Sequence, residues 1–183
     1  MQDVRLLVLD RDGVINEDSD QYIKSADEWQ PIPGSIEAIA KLTGAGFTIA
    51  VATNQSGLAR GYFDEAALEA MHEKMNTLCA GAGGFIDRIM VCPHGPDGHC
   101  DCRKPKPGLL LALGEHYGID LNNVPVIGDS LRDLQAAQSA GASPILVRSG
   151  KGAATERALP ADFANIDIYD NLAAAADAII QQC

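Results

Sequence analysis

Five short aliphatic runs constrain this chain more than any other feature. They fall at residues 4–9 (VRLLVL), 48–52 (TIAVA), 86–91 (IDRIMV), 124–127 (VPVI) and 144–147 (PILV). Each is too short for a dependable helix, and each gives way to polar or Gly-rich residues, which is how buried strands read. Between them lie amphipathic or Ala-rich segments at 35–42, 65–79, 108–117, 133–140 and 172–181 that read as helices. A strand covered on both faces needs apolar side chains at consecutive positions, and alternating helices supply the two covers. The pattern therefore predicts an α/β fold, a doubly wound parallel sheet. With 183 residues, 46% of them hydrophobic, the chain suits one domain over residues 1–183 with at most a small insertion.

A formal net charge of -11 argues against wrapping a nucleic-acid backbone, and no stripe of basic residues with interleaved aromatics is present. A small anion would need a local group of cations, or a metal ion, to be held against that field. No apolar stretch approaches the length of a membrane span. The first strand-like run follows Met1 almost at once, which leaves no room for a signal peptide and points to a cytoplasmic protein. In that compartment the five cysteines are read for metal rather than for disulfides.

Ligands of doubly wound sheets bind beyond the carboxyl ends of the strands, and four polar clusters stand at such ends: the opening aspartates, "TNQSG" at 53–57, "CPHG" at 92–95 and "GDS" at 128–130. In "LVLDRDGVIN" a buried run ends on Asp10 and Asp12, whose side chains project from the same face of the strand. Two carboxylates that close repel, and a divalent cation is the usual remedy. "VIGDSLRD" repeats the design with Asp129 and, about one helical turn on, Asp133, completing an oxygen-rich set that suits Mg²⁺. "VATNQSG" ends its strand on Thr53, whose hydroxyl can hold a phosphate oxygen together with the backbone N–H groups that follow. Just before an expected helix, "CRKPKPG" brings Arg103, Lys104 and Lys106, the cationic spot that an acidic anion-binding protein requires.

The loop at residues 92–102, "CPHGPDGHCDC", offers Cys92, His94, Cys100 and Cys102, two pairs each spaced by one residue. This Cys3His set suits tetrahedral structural Zn²⁺. His99 is an alternative to His94; the one-residue spacing from Cys92 mirrors the second pair and favours His94. Cys79, in an expected helix, and Cys183, at the terminus, read as bystanders.

"DRDGV", "TNQSG", "RKP" and "GDSLRD" together resemble the four motifs of the haloacid dehalogenase-like phosphatases, over essentially the whole chain. The resemblance implies a Rossmann-like sheet of that family's type, a small zinc-binding loop and, absent a long insertion, no large cap domain. It implies Asp10 as the nucleophile that forms an aspartyl-phosphate and Asp12 as the acid, then base, of the two half-reactions. Mg²⁺ would be held by the side chains of Asp10 and Asp129 and the backbone carbonyl of Asp12, with Asp133 behind them. Thr53, the Asn54 amide and Lys104 would cradle the phosphoryl group.

Within the superfamily, the zinc loop narrows the likeness to a branch of sugar bisphosphate and histidinol-phosphate phosphatases. The strings "TNQSGLARGYF" and "CDCRKPKPG" are most similar to the heptose 1,7-bisphosphate phosphatases, which would place the product on the route to nucleotide-activated heptose and lipopolysaccharide core. Where heptose enzymes carry a basic residue after the last motif aspartate, this chain has Ser130. The sugar would then be met by loop residues: Asp18 and Tyr22 after the first strand, Gln55, Ser56 and Arg60 after the second, and Arg103. A small phosphorylated sugar is the expected partner, with no nucleic acid and no membrane, and a monomer is expected because no exposed apolar helix stands out. Two other classes share parts of this design. A receiver-type signalling domain is also phosphorylated on aspartate beside Mg²⁺, but without an acid two residues on. A nucleic-acid end-processing phosphatase overlaps the motifs but not the charge.

Overall fold

The computed structural model describes residues 4–183, so residues 1–3 of the expected domain lie outside the described part. Its strands are β1 (Leu6–Leu9), β2 (Thr48–Asn54), β3 (Ile86–Cys92), β4 (Pro125–Gly128), β5 (Ser143–Val147) and β6 (Asp167–Tyr169). Its helices are α1 (Ser35–Gly44), α2 (Glu65–Gly81), α3 (Gly108–Tyr117), α4 (Leu131–Ser139), α5 (Gly152–Arg157) and α6 (Leu172–Gln181). The strands form one sheet in the order β3-β2-β1-β4-β5-β6, and every pairing is parallel.

Helices cover both faces. Leu7 and Leu9 of β1, Ile49 and Val51 of β2 and Ile127 of β4 pack with residues of α1, α2 and α6. Their neighbours in sequence, Leu6, Val8, Ala50, Ala52 and Val126, pack on the other side with α3 and α4. Successive strand residues thus enter opposite apolar layers, which is why the runs are continuous rather than alternating. Local chemistry sets several helix ends: the Asp64 carboxylate accepts from the Ala67 N–H at 2.8 Å and caps α2.

The strand order reverses between β1 and β4, which lie side by side although β2 and β3 separate them in sequence. A crevice beyond the carboxyl ends is a topological consequence of that reversal. Over it runs the connection from β1 to α1, residues 10–34, anchored by the buried Val14, Ile15 and Trp29. Lys74 of α2 donates to the carbonyls of Ala26 and Trp29 at 2.7 and 2.6 Å. The five expected strands and five expected helices are present; β6, α5 and a 3-10 turn at Ala161–Phe163 are additions. Among the described residues no helix is long and apolar enough to cross a membrane.

The helix faces give a direct test. Leu113 of α3 is fully buried while Leu111, two positions earlier, is 51% exposed. Urea denaturation should show Leu113→Ala losing about 2–5 kcal/mol and Leu111→Ala within about 0.5 kcal/mol of the parent. Equal losses would mean that α3 presents a different face to the sheet.

Candidate active site

Asp10 directly follows β1 and its N–H donates to the Ile127 carbonyl of β4 at 2.9 Å, extending the strand pairing into the crevice. Asp129 directly follows β4. Between them the chain needs a glycine: Gly13 has φ +85, and a Cβ there would run into the Asp129 carboxylate. Gly128 is required on similar grounds, because its missing side chain leaves the room that Asp133 fills.

Lys104 holds this group together. Its ammonium is buried and donates to Asp10 Oδ1 at 2.9 Å, Asp133 Oδ1 at 2.6 Å and the Ala52 carbonyl at 2.8 Å. Burial alone would discharge the lysine, but the charges of Asp10 and Asp133 outweigh it and raise its pKa above the ordinary value. Asp133 is the converse case. Burial would protonate it, yet the Lys104 charge and hydrogen bonds from Lys104 and Ser130 bring its pKa below the usual value. Its second oxygen, Oδ2, accepts from the Ser130 N–H at 3.0 Å and the Ser130 hydroxyl at 2.8 Å at the start of α4.

Asp10 and Asp129 stay under strain. Burial first, then the neighbouring Asp133 charge, raises the Asp10 pKa well above the usual carboxylate range, with Lys104 pulling back. Burial and Asp133 push Asp129 up to about 7. Carboxylate oxygens of Asp10, Asp129 and Asp133 lie within 4.8 Å of one another. A hard divalent cation is what such a repelling oxygen set fits. Since both Asp133 oxygens are already committed, Asp10 and Asp129 are the side chains with room to bind it. The Asp12 carboxylate turns away from the cluster. Its Oδ2 accepts from Gln55 Nε2 at 2.8 Å and its Oδ1 from Arg11 and Asn16. Burial would raise its pKa, but the Arg11 charge and these hydrogen bonds leave it below the usual value.

The cavity over these groups measures about 220 Å³ and is lined by Asp10, Asp12, Asp129, Lys104, Arg103 and the segment containing Asp18 and Tyr22, among others. Of the expected substrate contacts, Ser56 lines it, and Tyr22 reaches to within 3.5 Å of the Ser56 hydroxyl while stacking edge-on against Tyr62. Asp18 pairs with Lys151 at 3.4 Å. Three of the expected residues have other partners. Arg60 is exposed and lies beside Ala59, His94 and Gly95 at the cysteine loop, outside the cavity. Gln55 lines the cavity, but its amide nitrogen is taken by Asp12 and by Thr53 Oγ1, at 2.9 Å, so it orients those two side chains. The Asn54 side chain also lines the cavity, where it exchanges two 3.1 Å hydrogen bonds with the Lys104 backbone and fastens that loop. Thr53 is buried at the end of β2, and because its oxygen accepts from Gln55 its own proton remains to be donated.

Sequence reading overlooked Arg11, Arg132 and Lys151. The last two line the cavity, and the Gly150-Lys151-Gly152 step just past the fifth aliphatic run was the available signal for Lys151. Arg11 carried no signal, since a charged residue between two motif aspartates reads as exposed. It is fully buried.

Beside the cavity, Cys92, His94, Cys100 and Cys102 converge. His94 Nδ1 lies 3.5 Å from Cys92 Sγ and 3.3 Å from Cys102 Sγ, and the Cys92 and Cys100 sulfurs are 3.9 Å apart. A tetrahedral Zn²⁺ with bonds of about 2.3 Å to sulfur sets its ligand atoms roughly 3.6–3.8 Å apart, so the spacing fits that ion. The group includes His94 and not His99. Burial and the neighbouring Cys92 and Cys100 sulfurs push the Cys102 thiol up to about 12, a crowding that a cation relieves. The loop is tied to the cavity by Arg103, which donates to the His94 carbonyl at 3.2 Å.

Known proteins resemble this chain at several levels. A family model described as "HAD-hyrolase-like" matches residues 101–175. The D-glycero-beta-D-manno-heptose-1,7-bisphosphate 7-phosphatase of Pseudomonas aeruginosa is 58% identical over 177 residues, covering 96% of this chain and 98% of that protein. Its namesake from Bordetella bronchiseptica is 51% identical, covering 98% and 99%. The crystal structure of the B. bronchiseptica D,D-heptose 1.7-bisphosphate phosphatase complexed with magnesium and phosphate superposes with a TM-score of 0.95, covering 98% of this chain and 100% of that one.

Two metal experiments follow. Because burial and the Asp133 charge push Asp129 up to about 7 and raise Asp10 as well, protons and Mg²⁺ compete for the pair. The apparent Mg²⁺ affinity should weaken by about tenfold or more per unit as the pH falls below 7, as isothermal titration would show; a flat profile down to pH 5.5 would mean that these two carboxylates do not hold the ion. Cys102→Ala should abolish stoichiometric zinc by elemental analysis and lower the melting temperature by roughly 5 °C or more. Unchanged zinc content would mean that the ligand set is wrong.

Proposed function

This chain belongs to the D-glycero-beta-D-manno-heptose-1,7-bisphosphate 7-phosphatases of the haloacid dehalogenase-like hydrolases, and we propose that it releases the 7-phosphate of that sugar through a phosphorylated Asp10. The observation that carries this reading is the asymmetry of the Asp10 carboxylate. Lys104 Nζ and the Arg11 N–H, at 2.9 and 2.8 Å, both donate to Oδ1, leaving Oδ2 for reaction at the floor of the cavity. A carboxylate fixed at one oxygen is a positioned nucleophile.

In the first half-reaction an Asp10 oxygen attacks phosphorus, the bond from phosphorus to the sugar oxygen breaks, and Asp12 gives that oxygen a proton. In the second, Asp12 takes a proton from water, the water oxygen attacks phosphorus, and the Asp10 carboxylate is restored as inorganic phosphate leaves. Lys104 and the Thr53 hydroxyl meet charge on the transferring group. Mg²⁺, held by the side chains of Asp10 and Asp129 and the Asp12 carbonyl, supplies charge neutralisation between carboxylate and dianionic ester. Asp133 keeps Lys104 charged and in place.

The second phosphate of the substrate needs cations of its own, and Arg103, Arg132 and Lys151 line the same cavity. They supply what Ser130 does not. Tyr22 and Ser56 form wall on the sugar side, and Asp18, bound to Lys151, is poised to accept from a hydroxyl. We take residues 1–183 to act as one phosphatase domain, with Zn²⁺ bound by Cys92, His94, Cys100 and Cys102 stiffening the loop that delivers Arg103 and Lys104. A monomeric enzyme working in the cytoplasm, on the way to nucleotide-activated heptose, completes the reading.

Phosphate release with Mg²⁺ should be compared as kcat/KM for both anomers of heptose 1,7-bisphosphate and for histidinol phosphate, with Asp10→Asn as the blank. The β anomer should lead by a hundredfold or more, and the blank should be at background. Dominance of histidinol phosphate would keep the chemistry and replace the substrate; turnover by the Asp10→Asn protein would remove Asp10 as nucleophile.

A further inference from the structure

Arg11 lies between the two reacting aspartates, yet its side chain faces away from the cavity and is wholly buried. Burying a guanidinium costs several kcal/mol unless its partners repay it. The partners here are few. Nε and Nη2 fork onto one atom, Asp12 Oδ1, at 3.1 and 2.8 Å, while Nη1 meets His72 Nε2 at 3.3 Å and Met71 Sδ at 3.9 Å on α2. Asn16 Nδ2 adds a third donor to the same Oδ1 at 2.9 Å.

The two Asp12 oxygens are thus unequal. Oδ1 faces three N–H donors and has no room for a proton, which would point at one of them. Oδ2 receives one hydrogen bond, from Gln55, and keeps a lone pair. We propose that Arg11, assisted by Asn16, is a positioning residue that takes Oδ1 out of play and commits Oδ2 to carrying the catalytic proton. Resting on the assignment of Asp12 as acid and base, this names the working atom and the side chain that selects it. In phosphoryl transfer to Asp10 the proton leaves Oδ2 for the sugar oxygen as the P–O bond breaks, and in hydrolysis Oδ2 takes it back from the attacking water. Arg11 itself gains and loses nothing. Anchored at its far end on α2, it sets the carboxylate plane as a strut would.

The test exploits leaving groups. A sugar alkoxide needs the proton; p-nitrophenolate departs without it. Since kcat/KM covers only the steps through departure of the first product, it isolates the half-reaction in which Oδ2 acts as acid. Arg11→Met should lower kcat/KM for heptose 1,7-bisphosphate by about a hundredfold or more, with KM changed less than about threefold, and for p-nitrophenyl phosphate by less than about tenfold. Arg11→Lys retains charge but not the fork, and should recover melting temperature better than it recovers the sugar-phosphate rate. Asn16→Ala, a smaller change, should show the same selectivity at about tenfold and carries the test if Arg11→Met does not fold. Asp12→Asn is the reference. If it discriminates between the leaving groups and the Arg11 and Asn16 variants lose both substrates equally, the proposal falls and Asp12 keeps its role. If Asp12→Asn does not discriminate, the role of Asp12 falls, and that of Arg11 with it.

Discussion

A single buried ammonium decides whether the end of this sheet can exist. Asp10, Asp129 and Asp133 crowd a crevice that burial makes hostile to charge, and Lys104 is the protein's own cation among them. It touches Asp10 from the β1 end, Asp133 from α4 and the Ala52 carbonyl of β2. Removing one partner of such a cluster leaves an uncompensated buried charge, so the group is held as a unit. The chain's net charge of -11 sharpens the point. An anionic ester approaches through an unfavourable field, and Arg103, Lys104, Arg132 and Lys151 on one cavity are the local reversal of it.

The cysteine loop belongs to the same device. Cys102 and Lys104 are two residues apart, so whatever fixes the sulfur fixes the approach of the ammonium. Asn54 grips the Lys104 backbone from the other side, at both its N–H and its carbonyl. Lys104 is therefore placed by the cysteine loop and a strand end together, a rigid support of the kind a positioned charge requires. Arg103, one residue earlier, is steadied by the His94 carbonyl.

Much of this was legible in the chain because the governing constraints are local. The central strands must be apolar at every position to fill two layers, so 4–9, 48–52 and 124–127 announce themselves. β6 does not: Asp167–Tyr169 is three residues at the sheet's edge, half-buried at best. α5, with the sequence GAATER, has no apolar stripe. That Asp10, Asp12 and Lys104 meet at one cavity was readable from motif and strand end, and that Cys92, His94, Cys100 and Cys102 converge was readable from spacing. What the sequence concealed was the direction in which polar side chains turn. Asn54 ends β2, and Gln55 and Arg60 follow in one short loop, yet they grip a backbone, orient two side chains and face the cysteine loop respectively. Arg11 was hidden for the same reason, since nothing in "DRD" says which way the middle residue goes.

The strand order also shapes how the molecule is made. β1 is central, flanked by β2 on one side and β4 on the other. As the chain emerges from a ribosome, β2 arrives soon after β1, but the other edge of β1 stands open until residues Pro125–Gly128 have been synthesised. An apolar strand with an unpaired edge is a template for unwanted partners. For more than half of its synthesis the nascent chain carries that edge, and the arrival of β4 closes it while delivering Asp129 to the site. Closing the open edge of β1 and bringing Asp129 beside Asp10 are thus one event, and a chain that stops short of β4 has neither.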